Sequence, residues 1–249
     1  MSNRIKISAV SYANSYPFIY GLKNHPVSER IELELDTPAD CARKLLKGEV
    51  DLGLVPVAII PDLDESLIVS DFCIGSDGPV ESVCLFSDVP LEQIETILLD
   101  YQSRTSVQLV KYLAENQWNI SPNWVAADSD FLEQITGTTA GVVIGDRAFP
   151  LLEKYPVILD LSEEWKTHTD LPFVFACWVS NRVLDADFQD QFQEALSQGL
   201  SRKEEAIRSM ANEDHENLVR YVESVISYDF AEEKRQAMKL FLDWMSKPK

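Results

Sequence analysis

The sequence predicts an α/β protein of two lobes with a cleft between them. Three observations carry that expectation. Residues 4 to 57 alternate strand and helix patterns in the order β-α-β-α-β. A second alternation starts at IETILLD and runs to VILDL, and two strand-like crossings, near residues 86 to 92 and 172 to 180, join the two units. At 249 residues the chain is long enough for two such cores. The expected boundaries are residues 1–88 with 178–249 for the first lobe, and 89–177 for the second, inserted lobe.

RIKISAV alternates Ile5, Ile7 and Ala9 with polar neighbours, the period of a half-buried strand. In SYANSYPFIYGL, Pro17 suits a first helical turn, and Ile19, Tyr20 and Leu22 supply an apolar face. Ser11 to Ser15 therefore form a strand-to-helix turn. TPAD announces the next helix: Thr37 as cap, Pro38 at the first position, Asp40 facing the exposed amides. Ala42, Leu45 and Leu46 face inward, and Gly48 ends the helix. VDLGLVPV, LIVSDFCIG and VESVCLFS read as short strands. After IETILLD and the turn YQSRTS, VQLVKYLAENQ is a helix with Val107, Val110, Leu113 and Ala114 inward. NWVAA, DFLEQI, AGVVIG, DRAFPLLEK and VILDL continue as strand, helix, strand, helix, strand, and FVFACWVS is a long apolar strand. From Asp187 onward the pattern is helical. Phe188, Phe192, Ala195 and Leu196 form one stripe, Met238, Phe241, Leu242 and Met245 another, and both are expected in the core.

Composition narrows the function. There are 22 basic and 41 acidic residues, a net charge of −19, so phosphate backbones and anionic membrane surfaces are repelled. Neither nucleic acid nor a membrane is expected as a partner, and no apolar stretch reaches bilayer-spanning length. The N-terminus enters a strand pattern without a signal-like apolar run, which points to a cytoplasmic protein. Cys41, Cys73, Cys84 and Cys177 are widely spaced with no C-x-x-C, as expected of reduced, buried thiols. His25, His168 and His215 share no ligand spacing, so no metal site is expected.

The chemistry is expected at the turns that follow strands, where α/β sheets place ligands. DFCIGSDGPVESVCLFS packs small polar residues, with Gly78, Ser82 and Val83 among them, between apolar runs and holds no cation or histidine. QSRTS precedes a strong helix, where unpaired amides and the helix dipole attract anions. Ser103, Thr105 and Ser106 add hydroxyls and Arg104 a cation. Capping by Thr105 or Ser106 accounts for one or two of these residues, and a carboxylate or phosphate site accounts for all. No P-loop pattern is present. Asp146, after VVIG, is either a helix cap or an acceptor for a ligand hydroxyl, whereas Asp51 in GEVDLG reads as structural.

Taken in order, SYANSYP, LLKGEVDLGLVPV, DFCIGSDGPVESVCLFS, LLDYQSRTSVQLVKYL, VVIGDRAF and DLPFVFACWV resemble the chorismate dehydratase family of the futalosine route to menaquinone. The resemblance runs from about residue 5 to residue 180. It implies a fold like the type II periplasmic binding proteins. It also implies dehydration of chorismate to 3-[(1-carboxyvinyl)oxy]benzoate, without metal or organic cofactor. The family pattern S-Y-L-N-x-x-P is met except that Ala13 replaces a larger apolar residue, and Asn14 falls on the family's active-site asparagine. Asn14 is thus the expected catalytic group. Ser11, Tyr12, Gly78, Ser82, Val83, Ser103, Arg104, Thr105, Ser106 and Asp146 are expected to contact substrate. Two other functions share the architecture: the enzyme forming 1,4-dihydroxy-6-naphthoate in the same pathway, and a non-catalytic carboxylate-binding protein. The first would require a histidine base at a cleft turn, where none of the three histidines falls.

Overall fold

The computed structural model describes residues 4–212 and 214–247. In chain order its elements begin β1 (Ile5–Val10), α1 (Tyr16–Asn24), β2 (Ile31–Asp36), α2 (Pro38–Leu46), β3 (Leu52–Pro56), β4 (Leu67–Ser76) and β5 (Val83–Ser87). They continue with β6 (Thr96–Leu99), α3 (Thr105–Leu113), β7 (Asn123–Ala126), β8 (Thr139–Ile144), β9 (Val157–Asp160), α4 (Leu161–Thr169) and β10 (Phe173–Ser180). The last are α5 (Ala186–Leu200), α6 (Lys203–Met210), α7 (His215–Arg220), β11 (Ser227–Asp229) and α8 (Glu232–Met245). No helix among the described residues is long and apolar enough to cross a membrane.

One unit comprises Met1–Gly75 with Val174–Ala231, the other Ser76–Phe173 with Glu232–Lys249. The sequence-based boundaries differ from these at residues 76–88, at residues 174–177 and from α8 onward. That helix packs Phe241 and Trp244 edge-on against Phe173 and Tyr112 of the second unit, at 5.3 and 5.2 Å.

The first unit holds a six-stranded sheet in the order β11-β4-β10-β3-β1-β2. β1 runs parallel to β2 and β3, and β10 lies antiparallel on β3. Parallel neighbours need helical crossovers, and α1 and α2 supply them. Pro17 opens α1, and Thr37 caps α2 by accepting the Asp40 amide at 3.2 Å, as the sequence indicates. Gly48 follows at φ +66, where a side chain would be strained. α1 and α5 cross unusually closely: a Cβ on Gly21 would stand 2.0 Å from the Ala195 carbonyl, and one on Gly199 1.9 Å from that of Pro17. Only paired glycines allow that crossing.

The second unit holds a five-stranded sheet in the order β7-β6-β8-β5-β9. β6 is parallel to β7 and β8, while β5 is antiparallel to β8 and β9. One face packs Cys84, Phe86, Leu98, Phe131 and Val143 into a core, and Trp165 on α4 anchors the aromatic cluster with Phe173 and Phe241.

Several local expectations are corrected. DFLEQI buries Phe131 and Ile135 but forms only a 3-10 turn, Phe131–Gln134, because so short a segment does not sustain an α-helix. DRAFPLLEK is two such turns, Gly145–Arg147 and Phe149–Leu151, since Pro150 has no N–H to continue a helix. α4 and β11 escaped the pattern: α4 buries only Leu161, Ser162 and Trp165, and β11 is three residues long. On α8 the buried stripe is Lys234, Ala237, Phe241 and Trp244, so Met238, Leu242 and Met245 lie beside it, not in it.

Candidate active site

The residues singled out by sequence fall into two groups, one in each unit. In the first unit, Ala13–Ser15 form a 3-10 turn after β1, placing Asn14 at the carboxyl end of that strand. The turn is tied down at both flanks. Ser11 donates from its amide (3.0 Å) and hydroxyl (3.2 Å) to the Asp36 carbonyl at the end of β2. The Asn14 carbonyl accepts the Tyr228 hydroxyl at 2.9 Å. The Asn14 side chain is held on one side only: Oδ1 accepts the Ser15 hydroxyl at 3.0 Å, and Nδ2 has no partner among the described residues. Both amide hydrogens are therefore open to an acceptor. Tyr12 is already engaged within the chain.

In the second unit, sheet register brings three separate segments to one end. β6 and β8 are parallel, so their carboxyl ends coincide. β5 runs the other way with Val83 opposite Ile144, and the Gly145 amide donates to the Ser82 carbonyl at 2.8 Å. Ser82–Val83, Asp100–Ser106 and Gly145–Arg147 thus converge. Asp100 is the knot. Its side chain is wholly buried and accepts the Ile144 amide (3.0 Å), the Gln102 amide (3.0 Å) and the Arg147 guanidinium (2.6 Å). Its carbonyl accepts the Ser103 amide at 3.1 Å. Gly145, at φ +68, makes the turn that brings Arg147 back to Asp100, and the Arg147 guanidinium lies 5.5 Å from the Tyr101 ring centroid.

The start of α3 is organised differently from the expectation. Ser103, not Thr105 or Ser106, is the capping side chain: its hydroxyl oxygen accepts the Ser106 amide at 3.0 Å. The Ser106 hydroxyl, buried, has no partner among the described residues, and Thr105 is already engaged. Arg104 is exposed, and it too lacks a partner among the described residues. Asp146 lies in the 3-10 turn and is engaged within the chain, so it caps no α-helix.

The Gly78–Val83 backbone is less open to a ligand than the sequence implied. The Val80 and Glu81 amides donate to Asp160 at 2.8 and 2.6 Å, and the Ser82 amide bonds back to the Val80 carbonyl. Asp160 also caps α4 through the Ser162 and Glu163 amides. Burial nevertheless outweighs these four amides and raises its carboxyl above the usual range. Gly78 sits at φ +115, a backbone region that side chains avoid, so its role is conformational. Ser82 remains at the converging sheet end but is engaged within the chain.

Asp100, Arg147 and Asp160 support the group in the second unit and Tyr228 that in the first, and none was singled out by sequence. Asp160 had a readable signal in D-L-S-E, an acidic cap with glutamate three residues on. Asp51 takes the structural role expected, accepting from the Lys6 amide and the Arg182 guanidinium. No His, Cys, Asp and Glu cluster among the described residues could hold a metal ion. A surface hollow of about 610 Å³ lies at the far end of α3, lined by Lys111, Glu115, Asn119 and Trp124. It is a helix length away from Ser103 and belongs to neither group.

All four thiols are buried and none is in a disulfide. Burial pushes Cys41 up to about 12 and raises Cys84 well above the ordinary thiol range. Iodoacetamide at pH 8 is therefore expected to leave the native protein unmodified and to label all four after denaturation, read by intact mass. A thiol that reacts at the rate of free cysteine in the native protein would contradict this.

The sequence profile of a family described as menaquinone biosynthesis matches residues 5–247. A chorismate dehydratase of Thermus thermophilus is 28% identical, the alignment covering 93% of this chain and 96% of that protein. Among solved structures, a protein from Archaeoglobus fulgidus superimposes with a TM-score of 0.76 at 16% identity, with 96% of each chain covered. A Candida albicans protein described as having the generic periplasmic-binding-protein fold gives 0.64 at 13% identity, covering 99% of this chain and 92% of that one. At such identities the structural likeness speaks for the fold alone, and it bears out the α/β, periplasmic-binding-protein-like fold expected from sequence.

Proposed function

This chain belongs to the menaquinone-biosynthesis family, and from that membership we propose that it is a chorismate dehydratase producing 3-[(1-carboxyvinyl)oxy]benzoate. The observation that carries the reading is the Thermus thermophilus relative, aligned over nearly the whole of both chains. The chemistry of the two residue groups supports it. Chorismate has two carboxylates, and a protein of net charge −19 must receive them on neutral donors or isolated cations. The Ser106 hydroxyl and the Arg104 side chain, at the positive end of the α3 dipole, meet that need.

The reaction removes the proton on C3 and the hydroxyl on C4. The C3–H electrons become the C3–C4 π bond, the C4–O bond breaks, and water leaves from an aromatic ring. Aromaticity supplies the driving force, so the enzyme has chiefly to orient and to stabilise charge. Asn14 offers two amide hydrogens with its acceptor already occupied, which suits a donor to the departing hydroxyl or to a carboxylate. The substrate's own enolpyruvyl carboxylate takes the C3 proton in this scheme and passes it to the hydroxide leaving C4, which departs as water. None of the histidines lies in either residue group: His25 accepts the Val27 amide, His168 packs edge-on against Tyr112, and His215 meets the Ala211 carbonyl.

Incubation with chorismate, followed by liquid chromatography and mass spectrometry, tests the proposal. A product lighter by one water is expected. Turnover of a cyclised futalosine derivative with none of chorismate would instead assign the naphthoate-forming activity.

A further inference from the structure

Asn14 is fixed from a part of the chain that the sequence gives no reason to connect with it. Tyr228 lies on β11, 214 residues away, and its hydroxyl donates to the Asn14 carbonyl at 2.9 Å. The ring is 5% exposed. Phe18, in the helix that follows Asn14, meets its face edge-on at 5.3 Å. The Lys203 ammonium stands 4.9 Å from the ring centroid. β11 is itself short but anchored: Ser227 pairs with Gly75 and Asp229 with Phe72 on β4. The phenol therefore has a fixed position, a fixed direction, and a backbone acceptor within the active-site turn.

We propose that Tyr228 is a positioning residue for the reaction, holding the Asn14 turn through its hydroxyl so that the Asn14 amide meets the substrate in reactive geometry. This rests on Asn14 acting in the dehydration. The hydroxyl does not touch substrate in this scheme; it fixes the carbonyl of the residue that does. Burial raises the Tyr228 phenol well above its ordinary range, so the O–H donor persists throughout the neutral pH range. A one-hydrogen-bond anchor matters here because the turn is a single 3-10 turn of three residues, with Asn14 in its middle.

The test is Tyr228→Phe, which keeps the ring packed against Phe18 and Lys203 and removes only the hydroxyl. Expected is a fall in kcat of about tenfold, as for loss of one well-placed hydrogen bond, with KM and melting temperature close to wild type. The same substitution made on an Asn14→Ala background should have no further effect on kcat, because the group being positioned is gone. An equal proportional loss in both backgrounds, or unfolding of Tyr228→Phe, would show that the hydroxyl serves the fold rather than the reaction and would overturn the inference. Wild-type kcat in Tyr228→Phe with a deeply impaired Asn14→Ala enzyme would overturn it while leaving the role of Asn14 intact. Wild-type turnover in Asn14→Ala would instead remove the premise.

Discussion

Asn14→Asp is expected to be a poorer chorismate dehydratase than Asn14→Ala, although aspartate is nearly the same shape as asparagine. The Ser15 hydroxyl would hold one carboxylate oxygen where it now holds Oδ1, leaving the other, charged oxygen in the place of the Nδ2 donor. A dianionic substrate would then face an anion instead of two amide hydrogens. At about 4 Å and an effective dielectric near 20, like charges repel by about 4 kcal/mol before screening. Alanine loses only the donor, which for a stabilising hydrogen bond in the transition state costs about 10²–10³ in kcat. Steady-state kinetics on both variants, with circular dichroism as the folding control, give the comparison. Wild-type activity in Asn14→Asp would mean that a carboxylate base is welcome at this position, and the substrate-assisted scheme would fail.

The largest loss of stability is expected from Asp100→Ala. Its carboxylate has no exposed surface and joins the ends of β6 and β8 through two amides and the Arg147 guanidinium. Removing one partner of a buried pair typically costs about 3–5 kcal/mol, because the remaining charge and amides are left unpaired. The Arg147 side chain is a quarter exposed and can turn partly to water, so the lower half of that range is expected. For a chain of this size the melting temperature should fall by roughly 10 °C. Asp100→Asn, which retains one acceptor, should fall less. Scanning calorimetry on the three proteins decides the matter, and an unchanged melting temperature in Asp100→Ala would show that the knot contributes nothing. Chorismate affinity should also weaken in Asp100→Ala, since the Asp100 carboxylate holds the Gln102 amide in the turn that leads to Ser103 and α3.

The parts of the fold legible from sequence are those governed by local rules. Thr37–Pro38 and Tyr16–Pro17 mark helix starts because caps and proline act within one turn of chain. The strands of both sheets show their apolar runs for the same reason. What the sequence hid depends on long-range partners. β11 exists because Ser227 and Asp229 find β4, and no three-residue segment announces that. Asn14 could be picked out in one unit, and the SRTS turn, Ser82 and Asp146 in the other, because they lie beside strand ends or match a family motif. The supports could not: Asp100 looks like any polar strand end, and Tyr228 like any aromatic in a helical tail. The amides of Val80 and Glu81 looked available to an anion until Asp160, about 80 residues on, claimed them both.

Proton NMR of chorismate incubated with the protein decides whether it is a dehydratase. Expected are loss of the C3 and C4 ring signals, growth of the four aromatic signals of a meta-substituted benzoate, and retention of the enolpyruvyl vinyl pair. Chorismate that binds but stays unchanged would contradict it and point to a carboxylate-binding protein, and release of pyruvate would contradict it by showing that a different bond is broken.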